Sequence, residues 1–271
     1  MKLNRLTVAT AATVVLCAAA LTAQASHTWN NYHWARTAQD FPLQVIDSTS
    51  ADWDGELGQT LTDWSTSTVL NLAITSSDDT ARTRKRCAAV TGKIRVCNAS
   101  YGNNGWLGLA SINLDSNGHI VQGTAKMNDS YASSFAVQNE RDHVMCQEVG
   151  HLFGLGHTSE DGSTQNTCMD YSQSSTSTRP NSHDYAQLSS QYSHLDSSNS
   201  YVTGLAAGSG KPGKGNLQGA NGMAGENPMG IRVRKGVFDE VWAAPDGAGG
   251  TWIHHITLAP GFEHTELLDG K

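Results

Sequence analysis

Residues 147–157 read Gln-Glu-Val-Gly-His-Leu-Phe-Gly-Leu-Gly-His. On a helix, positions 147 and 151 stand one turn apart on one face, so their side chains converge on a common point. Glu148 lies beside them, close enough to hold a water at that point without being a ligand itself. Gly154 suits the left-handed conformation that ends helices, and the chain beyond it can carry His157 back toward the same point. Imidazoles and a carboxylate so arranged are the parts of a hydrolytic metal site. Catalytic zinc takes three protein ligands and a water whose pKa falls to about 7, and a carboxylate beside that water can take its proton and pass it to a leaving amine.

The stretch is similar to H-E-x-x-H-x-x-G-x-x-H, the zinc-peptidase signature of the metzincins. Glu148, His151, Gly154 and His157 hold their places, and Gln147 stands where the first histidine belongs. Downstream, Cys168-Met169-Asp170-Tyr171 falls where metzincins carry their Met-turn. Thr158 resembles the hydroxyl residue that matrixins place after the third histidine, whereas Met169-x-Tyr171 is similar to astacins and serralysins, whose tyrosine reaches the metal. The resemblance is strong over residues 141–171, weaker over the rest of 30–195 and absent beyond. It implies an α+β fold: a twisted, mostly parallel sheet with an antiparallel edge strand, an active-site helix, the Met-turn and a C-terminal helix. It also implies a zinc endopeptidase in which Glu148 activates the water and Tyr171 assists. Trp106, Leu107, Gly108, Leu109 and Ala110 best match the edge strand beside which extended peptide or protein substrate would pair.

Gln147 is the departure. A neutral amide oxygen is a poorer zinc donor than imidazole, so the expected ligand set is His151 and His157 with Gln147 as a weak third, helped by Tyr171. His143 is a rival ligand one turn earlier, but that turn, about 6 Å of rise, carries it away from the point of convergence. Two function classes follow: a zinc endopeptidase, which retention of Glu148 favours, and a catalytically impaired protein of the same fold that binds extended peptides without cleavage, which Gln147 favours.

Lys2 and Arg5 precede the apolar run Leu6 to Leu21 and then Ala23-Gln24-Ala25, the pattern of a secretory signal peptide over residues 1–25 with a mature start at Ser26. The chain is therefore expected to be secreted (extracellular or periplasmic), with no membrane association once the leader is removed. Export leaves Cys87, Cys97, Cys146 and Cys168 in an oxidising compartment. Three pairings are possible and spacing does not choose among them. Cys87–Cys97 is favoured as a local clip and Cys146–Cys168 as the bond that ties the site helix to the turn beneath it. A net charge of −7 argues against nucleic acid as a partner. The basic run Arg82, Arg84, Lys85, Arg86 reads as a solvated loop.

The remaining pattern describes what must position these residues. Phe41 to Ile46, Val69 to Ile74 and Lys93 to Cys97 read as strands. Trp53, Leu57, Leu61 and Trp64 recur at helical spacing and read as core. Trp106 to Leu114 and His119 to Met127 flank Asp115-Ser116-Asn117-Gly118, a hairpin turn whose Asp and Asn are also a candidate for a structural calcium. Asn181 or Ser182 caps a final helix running to about His194, with His183 and His194 read as surface and packing residues. The domain thus spans 26–200, followed by a Gly-rich linker over 201–230 and a small β-hairpin extension over 231–271. In that extension His254 and His255 are adjacent strand residues that point to opposite faces, which argues against a site.

Overall fold

The computed structural model describes residues 27–39, 41–203 and 229–267. The expected leader with its cleavage point, and nearly all of the Gly-rich stretch, lie outside those residues. In chain order the elements are β1 (His33–Trp34), β2 (Phe41–Ser48), α1 (Asp54–Trp64), β3 (Leu70–Ser77), α2 (Ala81–Arg86), β4 (Ile94–Ala99), β5 (Trp106–Leu114), β6 (His119–Asn128), α3 (Gln138–His151), α4 (Ser182–Gln191), β7 (Ile231–Lys235), β8 (Asp239–Pro245) and β9 (Thr251–Leu258). They form an α+β fold on one mixed sheet of order β3-β2-β4-β6-β5-β9-β8-β7, with β1 paired to β6. The pairs β2–β3, β2–β4, β4–β6 and β1–β6 are parallel; from β5 onward every pair is antiparallel.

The apolar faces read from the periodicity meet in one core. Trp53, Leu57, Leu61 and Trp64 of α1 pack with Val144, Met145 and Val149 of α3 against the inward residues of β2, β4 and β5. Each buried indole finds an acceptor, Trp53 at Asp129 (3.1 Å) and Trp64 at the Cys146 carbonyl (3.1 Å), as a buried N–H requires. The opposite sheet face carries a smaller cluster of Tyr101, Trp106, Leu109, Ile256 and Leu258. Asn181 closes a capping box with Asp184 at the start of α4, which fixes that helix where its sequence signal sits. No helix among the described residues is long and apolar enough to cross a membrane.

Three expectations are corrected. The basic run is a short helix, α2, because Thr80 caps its first turn and Cys87, in a left-handed conformation, stops it. The extension is three strands rather than a hairpin, and it continues the main sheet instead of standing apart. Most consequentially, β5 is antiparallel as expected but is not an edge. Along Trp106–Leu114 its outer side pairs with β9, Ala110 opposite His255 and Ser111 opposite His254. All nine β5 residues are buried, so the ladder positions expected to receive a peptide are filled by the chain's own C-terminal strand.

Candidate metal centre

Every residue of α3 from His143 to His151 is buried, so a polar side chain on its inner face must be matched by another polar group. The helix stops where the glycine predicts. Gly154 has φ 84°, and a Cβ there would stand 1.7 Å from the Tyr32 carbonyl oxygen. That turn returns the chain so that His157 faces His151, ring centroids 4.7 Å apart. Both expected disulfides are present: Cys87–Cys97 clips α2 to β4, and Cys146–Cys168 joins α3 to the turn that carries Met169. Met169 is fully buried, and its carbonyl accepts from both the backbone N–H (2.7 Å) and the hydroxyl (3.1 Å) of Thr158. The residue after His157 is thereby tied to the buried turn.

The third imidazole arrives from β9. One ring nitrogen each from His151, His157 and His255 lies within 4.8 Å of the others. The His255 centroid stands 4.0 Å from that of His151 and 4.8 Å from that of His157. Strand alternation does send His254 and His255 to opposite faces, as expected. His254 bonds Ser111 on one side (2.8 Å), and that same alternation delivers His255 to the cluster on the other. Opposite faces exclude a joint site but not a site for one of the two.

Gln147 is fully buried and turned to protein partners. Its amide nitrogen donates to the carbonyls of Cys168 (3.1 Å) and Asp170 (2.9 Å), with His143 Nε2 3.3 Å away. The Thr257 hydroxyl stands 3.0 Å from its amide oxygen and shares its one proton between that oxygen and Glu148. Gln147 thus fastens α3 to the turn and to β9. His143 is in none of the groups of possible ligands among the described residues.

The other nitrogen of each clustered ring is anchored. His151 Nδ1 lies 2.8 Å from the Leu155 carbonyl. His255 Nε2 lies 3.1 Å from an Asp239 carboxylate oxygen and 3.1 Å from the Tyr171 hydroxyl. His157 Nδ1 lies 3.1 Å from that same hydroxyl and 3.4 Å from Glu160. Anchors of this kind fix the tautomer and leave the opposite nitrogen as a lone-pair donor. Tyr171 therefore touches the outward nitrogens of two rings. Burial, reinforced by Glu160, pushes its phenol well above the ordinary value, which keeps the hydroxyl proton in place. Arg234 of β7 pairs with both Glu160 and Asp239, holding the two anchoring carboxylates. Burial lowers His151 well below the ordinary imidazole value, with His255 and His157 adding to it. Burial likewise brings His157 down to about 3 against the pull of Glu160. Both shifts favour the neutral ring, the form a metal needs.

Glu148, the carboxylate expected to move a proton, is fully buried. The Thr257 hydroxyl donates to its Oε1 (2.6 Å), while Oε2 stands 3.9 Å from His255 Nδ1. Gly108 on β5 leaves the necessary room, since a Cβ there would lie 2.3 Å from Glu148 Oε1. Four buried atoms, His151 Nε2, His157 Nε2, His255 Nδ1 and Glu148 Oε2, have no hydrogen-bond partner. Buried polar atoms are rarely left so, and three imidazoles with a carboxylate alongside are a donor set that suits zinc. The residues fit the ion. A cavity of about 300 Å³ opens on the cluster, lined by His151, His157, His255, Trp29, Glu160 and Arg234.

Elsewhere, Asp115 spends a carboxylate oxygen on the backbone N–H groups of Asn117 and His119 (2.8 and 2.9 Å), the bonding of an ordinary turn. His183 and His194, read as packing residues, each fall into a group of possible ligands, His183 with His27 and Asp184, His194 with His33 and Asp196. Sequence reading finds the β-rich runs that carry Asp239 on β8 and His255 and Thr257 on β9 but assigns none of the three a place in the site. Compared with protein-family models, with curated proteins and with solved structures, the chain matches none.

Proposed function

We propose that the chain is an exported zinc-dependent endopeptidase whose metal is held by His151, His157 and His255 and whose proton carrier is Glu148. The observation that carries this reading is the cluster of three imidazoles with nitrogens within 4.8 Å of one another, each with a buried partnerless nitrogen, and a Glu148 oxygen 3.9 Å from one of them. The resemblance of residues 141–171 to metzincins supports it, as does an antiparallel strand, β5, lying beside the site helix. Two disulfides fit the oxidising compartment that the leader implies. Zinc, when bound, supplies Lewis acidity to a peptide carbonyl and makes water a nucleophile near neutral pH. The chain does the rest. Thr257 fixes one oxygen of Glu148 and leaves the other to take a proton from the attacking water and return it to the departing amine. Tyr171, Asp239 and Glu160 hold the imidazoles in register.

The pairing of β9 on β5 changes the expected substrate route. Main-chain addition along Trp106 to Ala110 is closed in this conformation, so a peptide reaches the cluster through the cavity beside Trp29 and Arg234. That same pairing favours a second reading, a metal-holding protein of this fold that does not cut. A cleavage assay on a mixed peptide pool, with zinc content measured on the same samples, separates the readings. Cleavage lost in Glu148→Gln at unchanged zinc supports the peptidase. Zinc bound with no cleavage by either protein supports the second reading. Absence of zinc after dialysis against it sinks both.

A further inference from the structure

A second histidine cluster lies at the other end of α4, away from the cavity. His33 precedes the buried Trp34 on β1, while His194 and Asp196 follow α4. The Nε2 atoms of His33 and His194 stand 3.1 Å apart, and each is 3.7 Å from Asp196 Oδ1. Two donors about 2.0–2.2 Å from one tetrahedral zinc are separated by roughly 3.3 Å, so the three distances are those of ligands around a single ion. The rings meet nearly edge to face, centroids 4.7 Å apart and planes at 84°.

The cluster also has the supporting contacts that a bound ion requires. His33 Nδ1 lies 2.9 Å from the Asn31 carbonyl, which assigns the ring proton to Nδ1 and leaves Nε2 free to donate to a metal. Asn30 and Asn31 both sit in the left-handed region, φ 51° and 57°. Asparagine tolerates that conformation better than most residues, and here it aims the anchoring carbonyl. Asp196 receives the Arg36 backbone N–H on Oδ2 (2.9 Å), which leaves Oδ1 to face the imidazoles. Behind it, His119 places Nε2 3.5 Å from the same Oδ1 and Nδ1 3.4 Å from Asp115. His119 is therefore a positioning residue for the carboxylate.

We infer that His33, His194 and Asp196 form a second zinc site, oriented by His119, that staples the segment entering β1 to the segment leaving α4 and to the β5–β6 turn. Two imidazoles and a carboxylate are zinc ligands by type. The side chains of His33 and Asp196 are 15% and 12% exposed and that of His194 is 49% exposed, so an ion exchanges from solvent and a remaining position faces water. This inference does not depend on the buried cluster.

The mature chain carrying His151→Ala and His157→Ala, stripped with chelator and titrated with zinc alone against a chromogenic competitor, is expected to bind one equivalent. Adding His194→Ala or Asp196→Asn is expected to abolish that equivalent. In the otherwise unaltered chain, His194→Ala is expected to lower the zinc count by one; added to the double variant, it is expected to remove the rise in melting temperature that zinc gives. His119→Gln is expected to weaken the site about 10–100-fold, as loss of an orienting partner does. His194 is half exposed, so its replacement leaves the fold intact. A zinc count that His194→Ala and Asp196→Asn leave unchanged overturns the assignment.

Discussion

The buried cluster has two walls of different origin. The α3 wall, residues 147–157, carries its chemistry in one short, periodic stretch. The β9 wall comes from residues 251–258 and contributes His255 and Thr257. The first wall has the appearance of a metal site lacking one ligand. The second, read alone, looks like an ordinary strand. Their difference teaches that an imidazole cluster begun on a helix can be completed by a distant strand. Gln147 fastens α3 to the turn and to β9, and the third imidazole comes from β9.

His255→Ala tests this most severely. A four-ligand zinc site contributes about 10–16 kcal/mol, so one imidazole carries on the order of 3 kcal/mol, more than a hundredfold in affinity. Zinc titration of the buried site should show that loss for His255→Ala and no comparable loss for Gln147→Ala. The reverse ranking would return the third ligand to α3. Opening the Cys146–Cys168 bond with paired serines should cost about 3 kcal/mol in denaturant unfolding, because the bond encloses a separation of 22 residues on the α3 side. Asp239→Ala, which removes an anchor of His255, should weaken zinc about 10–100-fold. An unchanged affinity would mean that β9 pairing alone orients the ring. Thr257→Val should leave zinc content intact and cost about 1–2 kcal/mol, since it removes a donor from a buried carboxylate.

What sequence made legible was local. The strands over Phe41–Ser48 and Ile94–Ala99, the helix of Trp53 to Trp64, the β5–β6 hairpin, the cap at Asn181 and the stop at Gly154 each follow from periodicity or from one residue's backbone preference. Both disulfides belonged to the favoured pairing. What was not legible was long-range. No local rule says which free sheet edge a distant strand joins, and the closing of β5 by β9 was invisible for that reason. His255 and Asp239 become partners only through the β8–β9 pairing, in which Asp239 lies opposite Thr257. His33, His194 and Asp196 show no spacing motif, since β1 and the end of α4 meet only through the fold. The basic run failed differently. Its charge suggested a loop, but the Thr80 cap and the left-handed Cys87 decide for a helical turn.

The distant origin of His255 also sets a schedule. Translation proceeds at about 5–20 residues per second, and His255 follows His157 by about a hundred residues, so roughly 5–20 seconds separate their emergence. During that interval the α3 wall has two imidazoles and lacks the third ligand of the proposed metal set. The cluster is completed only when β9 pairs with β5. The metal chemistry proposed for the chain is thereby withheld until that strand has been made.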